Sequence, residues 1–173
     1  MSLPSPSTEP TLGRLLQDVA RLMRRRFEQR VRAAQIPFSR KQCSVLTRIE
    51  HEEGLSQTAL AHALNVEPIV LVRLVDRLEA AGLIERRLNP RDRRVWLLYL
   101  TPAAGPVLEE IHRLSQAVHE ETLAGLPESR RQLLTAALRH LKTNLSARQP
   151  GETEPPSAAG IPAPLKEYVG KDA

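Results

Sequence analysis

The densest chemistry in this sequence is a run of guanidinium groups. Between Glu85 and Arg94 lie five arginines, Arg86, Arg87, Arg91, Arg93 and Arg94, against only Glu85 and Asp92. On a loop, such a run can neutralise phosphates or enter a narrow minor groove, where the potential of a duplex is most negative. The same run would also serve as a plain solvated face. Asp92 would be repelled by phosphate, so it is expected to pair with a nearby arginine and hold the loop in shape. Upstream, Ile69, Arg73, Asp76, Arg77 and Ala80 fall on one side of a helix-spaced segment, and Leu71, Leu74, Val75 and Leu78 fall on the other. Arginine can donate two hydrogen bonds to guanine O6 and N7, and an aliphatic side chain can touch a thymine methyl. Arg73 is the candidate for the first contact and Ile69 for the second, with Pro68 at the helix entry and Arg77 one turn beyond Arg73. Ser56, Gln57 and Thr58 open the preceding segment. Their hydroxyls and the helix N-terminus suit phosphate contact, and Ser56 equally suits simple capping.

These groups need elements to hold them. Leu12, Leu16, Val19, Met23, Phe27 and Val31 recur at helical spacing, which predicts a helix over 11–34, ended by Pro37. Ser39 caps a second helix to about Glu52, with Val45, Leu46 and Ile49 inward. Ser56 caps a third, 57–64, and Pro68 sits in the first turn of a fourth that Gly82 closes. The period then changes to alternation. Residues 83–88 and 95–100 predict a β-hairpin around Asn89-Pro90-Arg91-Asp92-Arg93-Arg94. Thr101-Pro102 predicts an N-cap and first turn for a fifth helix to about Ala124, striped by Ile111, Leu114 and Val118. Pro127 and Glu128 open a sixth, striped by Leu134, Leu138, Leu141 and Leu145. The order is α-α-α-α-β-β-α-α: a mainly α fold with a small β-hairpin wing, a winged helix-turn-helix plus a helical lobe.

Composition narrows the function. The chain has 173 residues, 41% hydrophobic, with a formal charge of +5. That suits one soluble domain with a polyanionic partner. Eight of its 14 prolines lie in the first ten and last 24 residues, which predicts a flexible N-terminus over 1–10 and a disordered Pro-rich tail over 148–173. No apolar run is long enough for a membrane span, the N-terminus lacks a signal-peptide pattern, and a single cysteine leaves no disulfide framework. The expectation is a cytoplasmic protein. The five histidines, His51, His62, His112, His119 and His140, never fall four apart, so no metal site is expected, although His112 and His119 can share a helix face. There is no nucleophile elbow or phosphate-cradling glycine loop, so no catalytic residue, cofactor or enzyme activity is expected. Aromatics make up 3% of the chain, too few for a single-strand stacking platform. Cys43 reads three ways: a packed core residue, part of a ligand pocket, or a redox sensor whose thiol is tuned by Arg40, Lys41 and Arg48.

The stretch LAHALNVEPIVLVRLVDRLEAAGLIERRLNPRDRRVWLLYLT, residues 60–101, resembles the MarR family of winged-helix transcriptional regulators, with a flavour of its SlyA-like branch. The resemblance covers helices from about 11 to 147, and the tail lies outside it. It implies a homodimer with a DNA-binding lobe over about 39–101 and a dimerisation lobe built from 11–34 and 102–147. It implies that the fourth helix enters the major groove of a pseudo-palindromic operator and that the Asp-Arg-Arg of the wing serves the minor groove, Arg94 above all. A small-molecule effector, in this family often aromatic or phenolic, is expected to weaken binding. Relatives commonly carry a large aromatic at the position of Cys43. The helix opening Glu67-Pro68-Ile69-Val70 departs from the polar residues many relatives place there. The alternatives are a winged helix used for protein or RNA docking without operator specificity, and a cysteine-based redox-sensing regulator.

Overall fold

The computed structural model describes residues 10–147, so both the extreme N-terminus and the Pro-rich tail discussed above lie outside the described residues. These residues form α1 Leu12–Ala33, α2 Arg40–His51, β1 Leu55–Ser56, α3 Gln57–Leu64, α4 Pro68–Ala80, β2 Ile84–Leu88, β3 Trp96–Leu100, α5 Ala104–Thr122 and α6 Glu128–Ala147. The chain divides into two compact units, Met1–Ala124 and Gly125–Ala173, and α6 is the helix of the second.

Side-chain capping starts α1, α2 and α3. Ser39 and Gln42 form a capping box: the Ser39 N–H donates to Gln42 Oε1 at 2.9 Å, and the Gln42 N–H donates to Ser39 Oγ at 3.3 Å. Ser56 Oγ accepts the Ala59 N–H at 3.2 Å and starts α3. Asn65 ends it in the left-handed region, at φ 49°, a conformation asparagine tolerates better than most residues. Pro68 then occupies the first turn of α4, where its missing N–H removes no helical hydrogen bond. The two helices meet at 111°, within the range of helix-turn-helix units.

The sheet departs from the expected hairpin. It has three antiparallel strands in the order β1-β3-β2, with Leu55 opposite Leu98 and Arg86 opposite Leu98 on the other side. β1 is two residues long, too short to show an alternating pattern, so no periodicity could announce it. The start of α5 is a second correction. Its N-cap is Ala103, not Thr101. The Thr101 hydroxyl instead donates to the Gly82 carbonyl at 2.5 Å, and its N–H donates to Leu83 O at 3.0 Å. These bonds tie Thr101 to the turn between α4 and β2, and no side-chain hydrogen bond caps the helix that follows.

The core is continuous from α2 through the sheet to α5. Val45, Leu46, Ile49, Leu60, Leu71, Val75, Leu78 and Leu98 are fully buried, and Ile111 nearly so. The apolar stripe of α1 is buried only at its C-terminal end, by Val31 and partly by Phe27, while Leu12, Leu15, Leu16, Val19 and Leu22 are exposed. On α6, Leu133, Leu134, Leu138 and Leu145 are exposed.

Gly54 places α2 against the sheet. It has φ 77°, its N–H donates to Leu98 O at 2.9 Å, and a Cβ there would sit 3.0 Å from Tyr99 Oη. Gly54→Ala is expected to cost about 1–2 kcal/mol from the left-handed backbone alone, with additional crowding against Tyr99. Urea unfolding of Gly54→Ala in wild-type and Tyr99→Phe backgrounds checks this, because removing Oη relieves only the crowding.

Candidate nucleic-acid interface

Helix α4 divides as its spacing predicts. Leu71, Val75 and Leu78 are buried and Leu74 packs partly against the same core, while Arg73, Asp76 and Arg77 are exposed. Ile69 is 65% exposed at the N-terminal end, next to Pro68. Val72 adds a second exposed aliphatic group on this side. Arg73 and Arg77 enter no ion pair among the described residues.

The opening of α3 is mixed. Thr58 is exposed and Ser56 is committed to its cap. Gln57 differs from expectation: its Nε2 is buried without a hydrogen-bond partner among the described residues. That donor points away from solvent, so Gln57 has to change rotamer before it can reach a phosphate.

The wing tip is shaped by side chains bonding to backbone. Asn89 Oδ1 accepts the Arg91 N–H at 2.9 Å, and Asp92 Oδ1 accepts the Arg94 N–H at 3.0 Å. The Asn89 and Val95 N–H groups close the loop onto Val95 O and Asp92 O. Asp92 therefore holds the loop through the backbone and not, as its charge suggested, through a guanidinium. Arg91, Arg93 and Arg94 are exposed, and none is in an ion pair among the described residues.

The other two arginines of the run behave differently. Arg87 pairs with Glu85, and its guanidinium lies 4.3 Å from the Tyr99 ring centroid. Arg86 turns toward α4. Its Nη2 meets Asp76 Oδ1 at 2.5 Å and its Nη1 meets Glu79, with the Arg86 side chain 18% exposed. The sequence reading missed this role. The available signal was a pair of carboxylates three residues apart on α4, on the side that faces the hairpin.

This geometry, an exposed arginine-bearing helix after a tight turn and a cationic hairpin tip, agrees with comparisons to known proteins. The family model described as MarR family matches residues 38–96. The matched stretch is similar to the MarR family. It is 37% identical over 100 residues to a putative transcriptional regulatory protein for the hcr operon of Thauera aromatica, covering 56% of this chain and 58% of that protein. The chain spans under two thirds of the length of the curated relatives it matches first. Wild-type apo MarR from E. coli is similar in structure, with a TM-score of 0.69 at 28% identity over 77% of this chain and 98% of that one. The transcriptional repressor CouR, bound to a 23-mer DNA duplex, has a TM-score of 0.65 at 28% identity, covering 76% and 92%. The mainly α winged-helix fold is that of MarR structures. The matches bear on the family and not on its SlyA-like branch. The matched proteins are transcriptional regulators and not enzymes, as expected from the sequence.

A cavity of about 270 Å³ lies between α1, α2 and α5, walled by Met23, Phe27, Cys43, Thr47, Ile111 and Val118, with Arg24 and Arg40 also in its lining. Arg40 is held by Glu28 at 3.0 Å. Cys43 is 1% exposed. Burial pushes its thiol up from an ordinary 9.0 to about 11, more than a backbone hydrogen bond lowers it. The thiol is therefore protonated at neutral pH, against the state a redox sensor needs. Among the described residues no group of three or more His, Cys, Asp or Glu is placed to hold a metal ion, and His112 Nε2 faces Glu50 at 2.9 Å.

At pH 7.5 the native Cys43 thiol is expected to resist an aromatic disulfide reagent that titrates one thiol in the urea-unfolded chain. Because the folded pKa lies above the unfolded one, this thiol's contribution to stability is complete below pH 9 and is lost as pH rises through about 11. Rapid stoichiometric labelling of native protein at pH 7.5 would contradict this assignment.

Proposed function

We propose that this chain is a sequence-specific regulator of transcription that binds double-stranded DNA as a homodimer on a pseudo-palindromic operator. One observation carries the reading: Arg73 and Arg77 on α4, and Arg91, Arg93 and Arg94 on the wing, are exposed and free of carboxylate partners among the described residues. Their pairing capacity remains for an external anion, and a duplex offers both guanine edges and phosphates. α4 is then the major-groove helix, read by Arg73, Arg77 and Ile69 beside Pro68. The wing tip is the minor-groove element, shaped by Asp92, and Ser56 and Thr58 lie toward phosphate. The DNA complex of CouR supports this use of the fold. A protein- or RNA-docking role finds less support, because the exposed groups are guanidiniums and not a stacking surface.

The homodimer rests on the unburied leucines of α1 and α6, which an isologous pairing of two chains would cover. The lobes are then 39–101 for DNA and 11–34 with 102–147 for dimerisation. A second reading concerns regulation. The cavity beside Cys43 is large enough for a small molecule of about one substituted ring, and it joins α2 of the DNA lobe to α1 and α5 of the other. A ligand there would change DNA affinity by favouring one arrangement of the lobes.

Arg73→Ala is expected to lose about 1–3 kcal/mol on the cognate duplex and to relax one base position. Arg94→Ala is expected to weaken cognate and scrambled duplexes together. Mobility shifts on a duplex selected from a randomised pool, against a scrambled control, separate the two. Unchanged cognate affinity in Arg73→Ala would remove α4 from the interface.

Leu138→Asp combined with Leu141→Asp is expected to give monomers or insoluble chain, with loss of operator binding. Sedimentation velocity checks it, and a soluble dimer would contradict the assembly.

A further inference from the structure

The wing and the recognition helix meet through one side chain that the DNA reading does not itself use. Arg86 leaves β2 and spans two carboxylates on α4, Asp76 at 2.5 Å and Glu79. It is the most buried arginine of the cationic run, at 18% exposure, while Asp76 and Glu79 are 55% and 38% exposed. Asp76 lies one turn from Arg73. Arg86 is also paired in register with Leu98, which is fully buried at the centre of the sheet. The backbone of Arg86 is thus fixed by the core while its fork grips the outer side of α4.

We infer that Arg86 is a positioning residue, setting the angle between the recognition helix and the wing so that both grooves are met at once. The inference rests on the DNA-binding reading above. A planar fork can bridge two carboxylates at fixed geometry, which a lysine point charge cannot. By occupying Asp76, Arg86 also engages a carboxylate one turn from Arg73, leaving that guanidinium free for a base. The cation itself does not face DNA, so losing it removes orientation and not a phosphate contact.

The test uses the full chain, a duplex selected from a randomised pool by the wild type, and a scrambled duplex of equal length. Arg86→Ala is expected to weaken the selected duplex roughly tenfold, the scale of coupling within one ion-pair network, while the scrambled duplex changes by less than about threefold. The slope of log affinity against log salt should stay at the wild-type value, whereas loss of a phosphate contact lowers it by about one. Arg86→Lys should remain within about threefold of Arg86→Ala, since charge without the fork does not restore the angle. Asp76→Asn combined with Glu79→Gln removes negative charge beside the interface, so charge alone predicts tighter binding to both duplexes. Loss of the clamp predicts a fall in the ratio of selected to scrambled affinity. This double variant carries the test if Arg86→Ala does not fold by circular dichroism. Full rescue by lysine, or a slope reduced by one in Arg86→Ala, would overturn the inference, as would an unchanged ratio in the double variant. If the wild type enriches no sequence from the pool, the DNA reading fails instead, and the two failures are distinct.

Discussion

The outward face of α4 is set by how firmly its inward face is held. Leu71, Val75 and Leu78 are all fully buried, and each such burial contributes on the order of 1.5–3 kcal/mol. A helix turns about 100° per residue, so fixing these three positions fixes the azimuth of Arg73 and Arg77 as well. The helix cannot roll to present another face without exposing this stripe. Asn65 in the left-handed region and Pro68 in the first turn then fix where α4 starts and how it leaves α3. Packing on the opposite face thus fixes the backbone from which Arg73 and Arg77 project.

The wing solves a different problem. Its strands are short and its tip is solvated, so it has little core of its own. Leu98 anchors it by pairing with β1 on one side and β2 on the other. Beyond that anchor, order comes from polar contacts: the Asn89 and Asp92 carbonyl and carboxylate oxygens, the Arg87–Tyr99 stack, and the Arg86 fork. Each fixes a loop or side chain before any ligand arrives, which lowers the ordering cost of binding. The tip arginines themselves stay mobile in the sense that nothing in the described residues holds their guanidiniums.

Periodic burial was legible and local polar bookkeeping was not. The six helices and both hairpin strands followed from apolar spacing, because spacing records which face meets the core. β1 escaped because two residues have no period, and it exists only through its pairing with β3. Thr101 misled because its hydroxyl suits a cap wherever it lies, and only the fold shows it donating to Gly82 O. Asp92 misled for a related reason: a carboxylate among arginines looks paired, yet in a tight loop the backbone N–H two residues on is closer than any guanidinium. Gln57 looked available from its place at a helix start, but its Nε2 is buried. The clamping of Arg86 depends on contacts seven and ten residues away, which no one-dimensional pattern records, while Arg87 pairs with Glu85 only two residues back.

That split also explains how a face rich in both signs of charge can attract an anion. Asp76, Glu79, Glu85 and Asp92 all lie on or beside the proposed interface, and left free they would cancel most of its arginines. Three are ion-paired, Asp76 and Glu79 with Arg86 and Glu85 with Arg87, while Asp92 keeps its charge and is fixed by a backbone N–H. Each arginine spent this way comes from the strand of the wing, nearest the core. The arginines left over come from the tip and from α4, farthest from it. The formal charge of +5 for the whole chain therefore understates the local potential, because what a polyanion meets is set by which cations remain unpaired and where they project. Asp76 and Glu79 act as struts, holding Arg86 in place so that the backbones bearing the outer arginines keep a fixed separation between helix and wing.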